Sequence, residues 1–376
     1  MNAPDLNNLR WCSNCLAMST RPRINFDELG RCNACQWTER KKTFDWSARF
    51  DQLGDLLDSY RRRDGRFDVL VPVSGGKDGS YVAYNLKHKF GMNPLCVTVT
   101  PPLALPVGEE NLRNFVQSGF NHVSVNVHSE VLRKLDRQGF IDKGFPYFGW
   151  LTAIQTVPMH IALGFEIGLV IYGEDGEVEY GGSTETSENP ILDIEYIKRV
   201  WLESGHDLVL SSFADINRSD IRLFEFPSDE ELDRNPIQQT TWSYFENWDP
   251  YRNYLLAKEY CGLRESDESS VGTFTNFAQT DQSLYALHTY LMYLKFGFGR
   301  ANQDASIEIR RGAMVRDQAL NLVRLYDGHF PEEHIATYLD YYEMSFDEFD
   351  SILDKWVNKN LFQKVDGRWQ PLFTIE

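Results

Sequence analysis

A short apolar run followed at once by a glycine-rich loop constrains this chain more than any other feature. Residues 67–73 read FDVLVPV, an apolar and β-branched segment typical of a buried parallel strand. The loop SGGKDGS follows at 74–80, and YVAYNLKHKF then has helical spacing, with Gly91 placed to end the helix. A second apolar run, PLCVTVT, occupies 94–100. Together these pieces predict a strand–loop–helix–strand unit within a parallel sheet.

The loop has the composition of a phosphate site. Gly75 and Gly76 allow positive φ angles and leave no Cβ in the way of a ligand, so several N–H groups can point at one anion. Ser74 adds a hydroxyl donor, and Lys77 adds a charge that suits phosphate oxygens. Asp78 beside a polyphosphate favours bound Mg²⁺. The spacing is neither that of a Walker A loop nor that of a GxGxxG dinucleotide loop, and a turn without any ligand is the plain alternative.

The motif SGGKDG resembles the SGGxDS loop of the PP-loop ATP pyrophosphatases, which split ATP into AMP and pyrophosphate. The resemblance implies that residues 74–80 bind ATP and that Lys77 and Asp78 take part in catalysis. One departure from the family pattern is visible. Gly79 stands where the family has its second serine, and Ser80 comes one place later.

Four cysteines near the N-terminus form two matched pairs. Two residues separate Cys12 from Cys15 and Cys32 from Cys35, and sixteen residues lie between the pairs. This spacing is typical of a zinc site in which four thiolates complete a closed tetrahedron around Zn²⁺. A closed site is structural, so we expect the metal to fold a segment that is too short to have its own core.

Six motifs along the chain, including the cysteine segment and the loop, occur in an order that resembles the order in the N-acetyl sugar amidotransferases. The motifs are WCSNCLAMSTRPRINFDELGRCNAC, SGGKDG, IYGEDGEVEYGG, SYFENWDPYRN, GTFTNF and YLKFGFGRA. The resemblance implies an ATP- and Mg²⁺-dependent enzyme of bacterial surface-glycan synthesis. Its substrate would be an N-acetylated, nucleotide-linked sugar, whose acetamido group is adenylated on oxygen and then converted by ammonia into an acetamidino group.

The resemblance also implies a source for the ammonia. Enzymes of this kind draw it from a separate glutaminase and a channel-forming barrel partner similar to the histidine-pathway pair. The chain begins Met-Asn, without an N-terminal cysteine nucleophile, and has no GxCxG elbow around Cys96 or Cys261. We therefore expect ammonia to come from outside this chain, and we expect both of these cysteines to be small buried residues.

Four more side chains are candidates for the site. Glu174 follows the apolar run IGLVIY, and ligands gather at the carboxyl ends of parallel strands, so it can contact Mg²⁺ or deprotonate the incoming ammonium. Asp175 beside it is a weaker candidate, and a solvated acidic turn is the alternative for both. Lys295 and Arg300 lie past the end of the helical segment DQSLYALHTYLMYL, where they can hold nucleotide phosphates or pair with the helix dipole.

The order of these segments predicts an α/β fold with a doubly wound parallel sheet of the PP-loop type. Strands are expected near 67–73, 94–100, 122–127, 167–172, 208–212 and 240–245. We divide the chain into a zinc-binding module (1–45), the ATP-binding α/β domain (46–265) and a helical C-terminal region that contributes to the substrate site (266–376). The acidic, Gly- and Ser-rich segment 177–190 predicts a mobile loop near the active site.

Charge and hydropathy exclude several functions. Lys and Arg number 38 against 55 Asp and Glu, and the net charge of −17 disfavours a partner made of nucleic acid. No apolar run is long enough to cross a membrane, and the first residues lack an export signal, which predicts a cytoplasmic protein. Two alternative functions stay open at this point: a PP-loop enzyme of tRNA thiolation, and a non-catalytic zinc-ribbon interaction protein.

Overall fold

A five-stranded parallel sheet is the centre of the molecule. The computed structural model describes residues 6–211 and 216–375. The strands are β1 (Val69–Pro72), β2 (Pro94–Val99), β3 (Asn121–Val125), β4 (Leu169–Tyr172) and β5 (Gln238–Thr241), in the spatial order β3-β2-β1-β4-β5. The chain winds outward from β1 in both directions, so the predicted doubly wound α/β fold is confirmed.

Helices cover both faces of this sheet. Up to the end of β5 they are α1 (Asn33–Lys41), α2 (Trp46–Tyr60), α3 (Lys77–His88), α4 (Pro106–Gln117), α5 (Ser129–Lys143), α6 (Phe148–Gly164), α7 (Gly176–Tyr180), α8 (Ile194–Tyr196), α9 (His206–Ser211), α10 (Arg218–Ile221) and α11 (Asp229–Arg234). After β5 come α12 (Trp242–Phe245), α13 (Pro250–Cys261), α14 (Leu284–Phe296), α15 (Arg300–Arg310), α16 (Arg316–Tyr326), α17 (Ile335–Tyr342) and α18 (Phe346–Trp356). An antiparallel hairpin, β6 (Phe362–Val365) with β7 (Arg368–Pro371), follows α18.

The two faces of β1 enter two different apolar cores. Val69 and Val71 pack with α2, α3 and α12, whereas Leu70 packs with α5, α6 and α14. This alternation follows from the twofold side-chain period of a strand. The core that contains Leu70 also includes residues of α17, α18 and the start of β6, so these C-terminal elements share one core with the sheet.

The structure differs from three sequence-based predictions of local structure, wholly in one case and in part in the other two. The segment predicted as a strand at 208–212 is helical up to Ser211, and residue 212 lies outside the described residues. A short apolar run does not distinguish a strand from a buried helix. The strand predicted at 240–245 ends at Thr241, because Trp242 begins a helical turn and its indole N–H donates to Glu246 Oε2 (2.7 Å). The segment 177–190 begins within helix α7 rather than as a loop.

The phosphate-type loop is clamped between β1 and α4. Gly75 has a φ of +82°, and a Cβ there would lie 2.4 Å from the backbone nitrogen of Leu112. Gly79 lies in the first turn of α3, where a Cβ would lie 2.9 Å from the Pro72 carbonyl oxygen. The glycine at position 79 is therefore explained by packing, because a serine would push α3 away from the strand.

We predict that Gly79→Ala destabilises the protein by about 1–3 kcal/mol, since the new methyl group overpacks against the backbone of β1. Gly54→Ala in the middle of α2 is the matched control, because no atom lies within 4 Å of its Cβ position. The control should be neutral or more stable by up to about 1 kcal/mol. Guanidinium denaturation measures both, and equal stabilities for the two variants would contradict the packing argument.

Candidate active site and cysteine centre

Two neighbouring cavities open at the carboxyl ends of the central strands. The larger has a volume of about 650 Å³ and is mainly apolar; its walls include Val73, Val97, Leu112, Trp150 and Ile154. The smaller, which we call the polar chamber, has a volume of about 320 Å³. It is lined by residues that include Lys77, Asp78, Asn111, Tyr147, Glu174, Tyr180, Asp281, Tyr285 and Arg300. Both cavities share Ser74, Asp78, Gly79, Gly108, Asp281 and Tyr285, so the loop is their common wall.

The loop presents free backbone donors to this boundary. Gly76 is the N-cap of α3 and has no side chain to satisfy the first N–H groups of the helix. The Gly76 N–H itself has a long contact to Ser74 Oγ (3.4 Å). Unpaired N–H groups and the positive end of the helix dipole together favour an anion at this point.

The charged groups of the polar chamber interact closely. Lys77 Nζ forms an ion pair with Asp78, and Glu174 faces both residues. Burial lowers the pKa of Lys77, but Asp78 and Glu174 outweigh that effect and raise it above its ordinary value. Burial and the Asp78 carboxylate raise the pKa of Glu174 to about 7. The chamber thus holds a firmly charged lysine beside a carboxyl group that can take up or release a proton near neutral pH.

Helix α13 supplies a contact that sequence reasoning missed. The Asn253 amide donates to Asp78 Oδ1 (3.1 Å), and Asn253 is completely buried. Asn253 belongs to the motif SYFENWDPYRN, in which sequence reasoning assigned no role to this residue. The side-chain oxygen of Asn253, Oδ1, has no hydrogen-bond partner within the described residues.

The C-terminal region contributes a second carboxylate that the sequence did not reveal. Asp281 lines both cavities, and burial raises its pKa to about 6. The Tyr285 hydroxyl donates to Asp281 Oδ2 (3.2 Å). The segment is held against the start of α4, because the Leu105 N–H donates to the Asp281 backbone carbonyl (3.0 Å) and Gly108 has no Cβ to block the approach. No motif marks Asp281; only its proximity to the loop does.

The remaining predicted residues are divided between the chamber and other places. Arg300 lines the chamber, where its Nε donates to Asp304 Oδ1 (2.8 Å). Lys295 lies elsewhere, because its ammonium group donates to the Lys143 carbonyl (3.0 Å). Ser80 is fully buried, and its hydroxyl has no partner within the described chain. Asp175 is buried as the N-cap of α7 and accepts from the Glu177 N–H (3.0 Å).

The predicted cysteine cluster is present. Cys12 Sγ lies 3.6 Å from Cys35 Sγ, Cys15 Sγ lies 3.6 Å from Cys32 Sγ, and all four sulfurs lie within 4.8 Å of one another. A single ion with metal–sulfur bonds of about 2.3 Å needs sulfurs roughly 3.8 Å apart in a tetrahedron. The cluster therefore fits one metal ion, whereas a cluster of several irons would need a wider set of sulfurs.

The surroundings of the cluster favour thiolates. The Cys32 N–H donates to Cys12 Sγ (3.2 Å), and the Ala17 N–H donates to Cys15 Sγ (3.4 Å). Hydrogen bonds among the four cysteines lower the pKa of Cys15 well below its usual value and raise the pKa of Cys32 and of Cys35, so the thiolate character is concentrated on the first pair. Arg310 lies beside the cluster and offsets part of its negative charge. Deprotonated sulfurs are the form that a metal ion requires.

The cysteine module holds the segment that follows Glu174. Helix α7 carries two glutamates that are fastened to the module. Arg23 binds Glu177 (2.7 Å), and both Trp37 Nε1 (2.9 Å) and Lys41 Nζ (2.8 Å) donate to Glu179. The segment predicted to be mobile is thus anchored at its start, and the module acts as a clamp on one wall of the polar chamber.

One family model matches the C-terminal region. Residues 271–375 match the family described as "LPS biosynthesis protein WbpG-like, C-terminal domain". This match fits the resemblance to the N-acetyl sugar amidotransferases. The matched region includes Asp281, Tyr285 and Arg300, three residues of the polar chamber.

Three further likenesses each cover part of the chain. An uncharacterised protein of Methanocaldococcus jannaschii is 30% identical over 104 residues, which span 27% of this chain and 37% of that relative. A solved structure described as a predicted subunit of a tRNA methyltransferase, also from M. jannaschii, is 17% identical with a TM-score of 0.29, and the match covers 64% of this chain and 91% of that one.

A second solved structure is the U34-tRNA thiolase NcsA from Methanococcus maripaludis with its 4Fe-4S cluster. It is 12% identical with a TM-score of 0.32, and the match covers 71% of this chain and 79% of that one. Both TM-scores are low, so the fold class rests on the strand order and on the place of the loop. Within the described residues, no helix is long and apolar enough to cross a membrane.

We predict about one tightly bound metal ion per chain in the purified protein. Cys32→Ser should lose most of that metal and should be less stable, because removing one of four thiolates opens the tetrahedron. Elemental analysis and thermal unfolding measure the two effects. Cys261→Ser is the control, since Cys261 is a buried cysteine outside the cluster. Full metal retention in Cys32→Ser would contradict the assignment.

Proposed function

We propose that the chain is an ATP-dependent amidotransferase that converts the acetamido group of a nucleotide-linked sugar into an acetamidino group. The single observation that carries the proposal is the junction of the two cavities at the loop 74–79. An apolar cavity large enough for a nucleoside meets a charged chamber at a set of free backbone donors. The coarser part, an ATP-using enzyme of lipopolysaccharide synthesis, is also supported by the family of the C-terminal region.

Each part of ATP has a surrounding of matching chemistry in this arrangement. The adenosine would occupy the apolar cavity, whose walls include Trp150 and Val97. The phosphates would lie over Gly75 and Gly76, with Lys77 beside the leaving pyrophosphate. The acetamido sugar would then enter the polar chamber and meet the α-phosphorus at the shared wall, near Asp78 and Asp281.

The reaction divides into two displacements. The acetamido oxygen attacks the α-phosphorus, a P–O bond to the leaving pyrophosphate breaks, and an imidoyl adenylate forms. Ammonia then attacks the imidoyl carbon, gives up a proton, and the C–O bond to AMP breaks to leave the amidine. ATP, ammonia and the acetamido sugar thus yield AMP, pyrophosphate and the acetamidino sugar, with the acetamido oxygen retained in AMP.

The residues of the chamber would act mainly through charge and position. Lys77 stabilises the negative charge that develops on pyrophosphate, and Arg300 adds a second cation. Glu174, with a pKa of about 7, receives the proton that ammonia gives up during attack. Asp78 is held by Asn253 and is the carboxylate best placed for Mg²⁺.

Two metals have separate roles in this proposal. Mg²⁺ bound with ATP would neutralise charge on the phosphates during adenylation. Zn²⁺ would occupy the four-cysteine centre, where it has no open position for catalysis and keeps α7 beside Glu174. We further propose that a separate glutaminase and a barrel subunit supply the ammonia.

The geometry does not favour the thiolation alternative. Cys96 and Cys261 are both buried, and burial raises the pKa of Cys261 to about 11, so neither is poised as a sulfur carrier. The non-catalytic alternative does not account for the charged chamber, because gathering several charges at one poorly hydrated place is costly and is typical of functional sites. Mass spectrometry of acetamido sugars incubated with ATP, Mg²⁺ and ammonium tests the function directly.

We predict that Lys77→Ala slows sugar-dependent exchange of pyrophosphate into ATP by about 100-fold or more. The substitution removes the preorganised positive charge that stabilises the leaving pyrophosphate. Lys89→Ala is the control; it removes an exposed lysine from the far end of the same helix region and should leave the exchange rate unchanged. An undiminished rate in Lys77→Ala would reject the assignment of the loop.

A second prediction concerns pH. If Glu174 accepts a proton, its ionised carboxylate is the active form. Because the pKa of Glu174 is about 7, this form predominates above that pH, so the turnover rate at saturating ammonium should rise as pH increases through about 7. Glu174→Gln should remove this rise and lower turnover by about 100-fold. Glu110→Gln, an exposed carboxylate on α4, is the control. A pH profile that is the same in Glu174→Gln and in the unmodified protein would exclude the role.

A further inference from the structure

A third cavity lies behind the polar chamber, and the reaction described above does not use it. Its volume is about 360 Å³. Its walls come from four separate parts of the chain: the cysteine module and α2, helix α7, the turn before α13, and α15. They include Thr38, Lys41, Lys42, Trp46, Glu179, Tyr180, Asn247, Trp248, Asp249, Ile307, Arg310 and Arg311. We call it the rear cavity.

Tyr180 is the partition between the rear cavity and the polar chamber, because it lines both. On the chamber side, its hydroxyl has a long contact to Glu174 Oε1 (3.4 Å), and the Arg300 guanidinium lies 5.9 Å from the centre of its ring. Tyr180 is the last residue of the five-residue helix α7, and Gly181 follows it with a φ of +89°. One side chain at the end of a short helix therefore separates the two spaces.

Beyond Tyr180, the rear cavity leads to the carboxyl group of Glu174. Tyr180 contacts Glu174, the residue proposed to take the proton from the attacking nitrogen. Trp248, another wall of the rear cavity, packs against the residue after β4, with its Cη2 3.3 Å from the position that a Cβ at Gly173 would occupy. A molecule that passed Tyr180 would enter the polar chamber beside the proton acceptor, without crossing the apolar cavity proposed for the adenosine.

The charges that line the rear cavity are balanced within the protein. Of its four cationic side chains, Lys41 pairs with Glu179, Lys42 with Glu39, and Arg311 with Asp249 and Glu308. The fourth, Arg310, lies beside the cysteine sulfurs and Glu179. The aromatic and aliphatic part of the wall, from Trp46, Trp248 and Ile307, is suited to a small uncharged molecule.

We propose that the rear cavity is the inlet for neutral ammonia and that the Tyr180 ring is its gate. The inference rests on the proposed function. The inlet is separate from the places of both other substrates, so ammonia can arrive while the imidoyl adenylate still fills the chamber. This order keeps water from reaching the intermediate through an open substrate channel.

Two variants narrow the inlet without touching the chamber. Ile307→Trp adds bulk from α15, and Thr38→Trp adds it from the cysteine module; both residues line the rear cavity only. Leu325→Trp on the exposed side of α16 is the matched control. For each protein we would measure the KM for ammonium chloride in acetamidino-sugar formation, and separately the sugar-dependent exchange of pyrophosphate into ATP, which needs no ammonia.

We expect the two inlet variants to raise the KM for ammonium by about tenfold or more while the exchange rate stays within about twofold of the unmodified protein. Tyr180→Ala should let methylamine act as a nucleophile and yield an N-methylated amidine, because the partition is removed. Leu325→Trp should change neither quantity. The use of two substitutions from different elements guards against a folding defect in one of them.

The outcomes separate this inference from the function on which it rests. An unchanged KM for ammonium in both inlet variants, with exchange intact, would overturn the inlet and leave the amidotransferase proposal in place. Loss of exchange in both would also overturn it, because the cavity would then serve ATP or the sugar. Absence of any sugar-dependent exchange in the unmodified protein would reject the proposed function itself.

Discussion

The burial of several charges in one small chamber is the constraint on which the rest of the structure depends. Lys77, Asp78, Glu174 and Arg300 stand at the end of the sheet with little access to water. Such charges are tolerated only when they are held near one another and hydrogen-bonded. The surrounding elements supply that support: α13 fixes Asp78 through Asn253, and α15 fixes Arg300 through Asp304.

The same requirement explains why three parts of the chain meet at this place. The cysteine module does not form a separate appendage, since its helix α1 and the arginine before it hold the two glutamates of α7. The C-terminal region closes the opposite side, where the segment 280–282 lies against Gly108 and pairs with residues 103–105. Under the proposed function, a metal bound by the four cysteines would affect turnover through α7 and the position of Glu174. The rear cavity arises where these parts fail to fill the space behind Tyr180.

Sequence reasoning was most successful where the pattern is local. The run FDVLVPV followed by SGGKDG predicted β1, the loop and α3 because strand periodicity and glycine freedom act over a few residues. Sequence reasoning failed at 208–212, where a short apolar run folds as a helix up to Ser211. It also failed at Lys295, because a position near the end of a helix does not determine the direction in which the side chain points. Asp281 was missed because no local pattern distinguishes it from other surface acids; its burial comes from a segment that crosses to α4.

The sequence by itself determined that a phosphate-type loop follows a parallel strand, that four cysteines can bind one metal, and that the chain carries a large acid excess. These properties reside in the order and type of neighbouring residues. Only the tertiary structure decided which carboxylates share the chamber with Lys77, why position 79 is a glycine, and that Tyr180 divides two cavities. Those features depend on distances between segments that are remote along the chain, and such distances are set by packing of the whole core rather than by any local pattern.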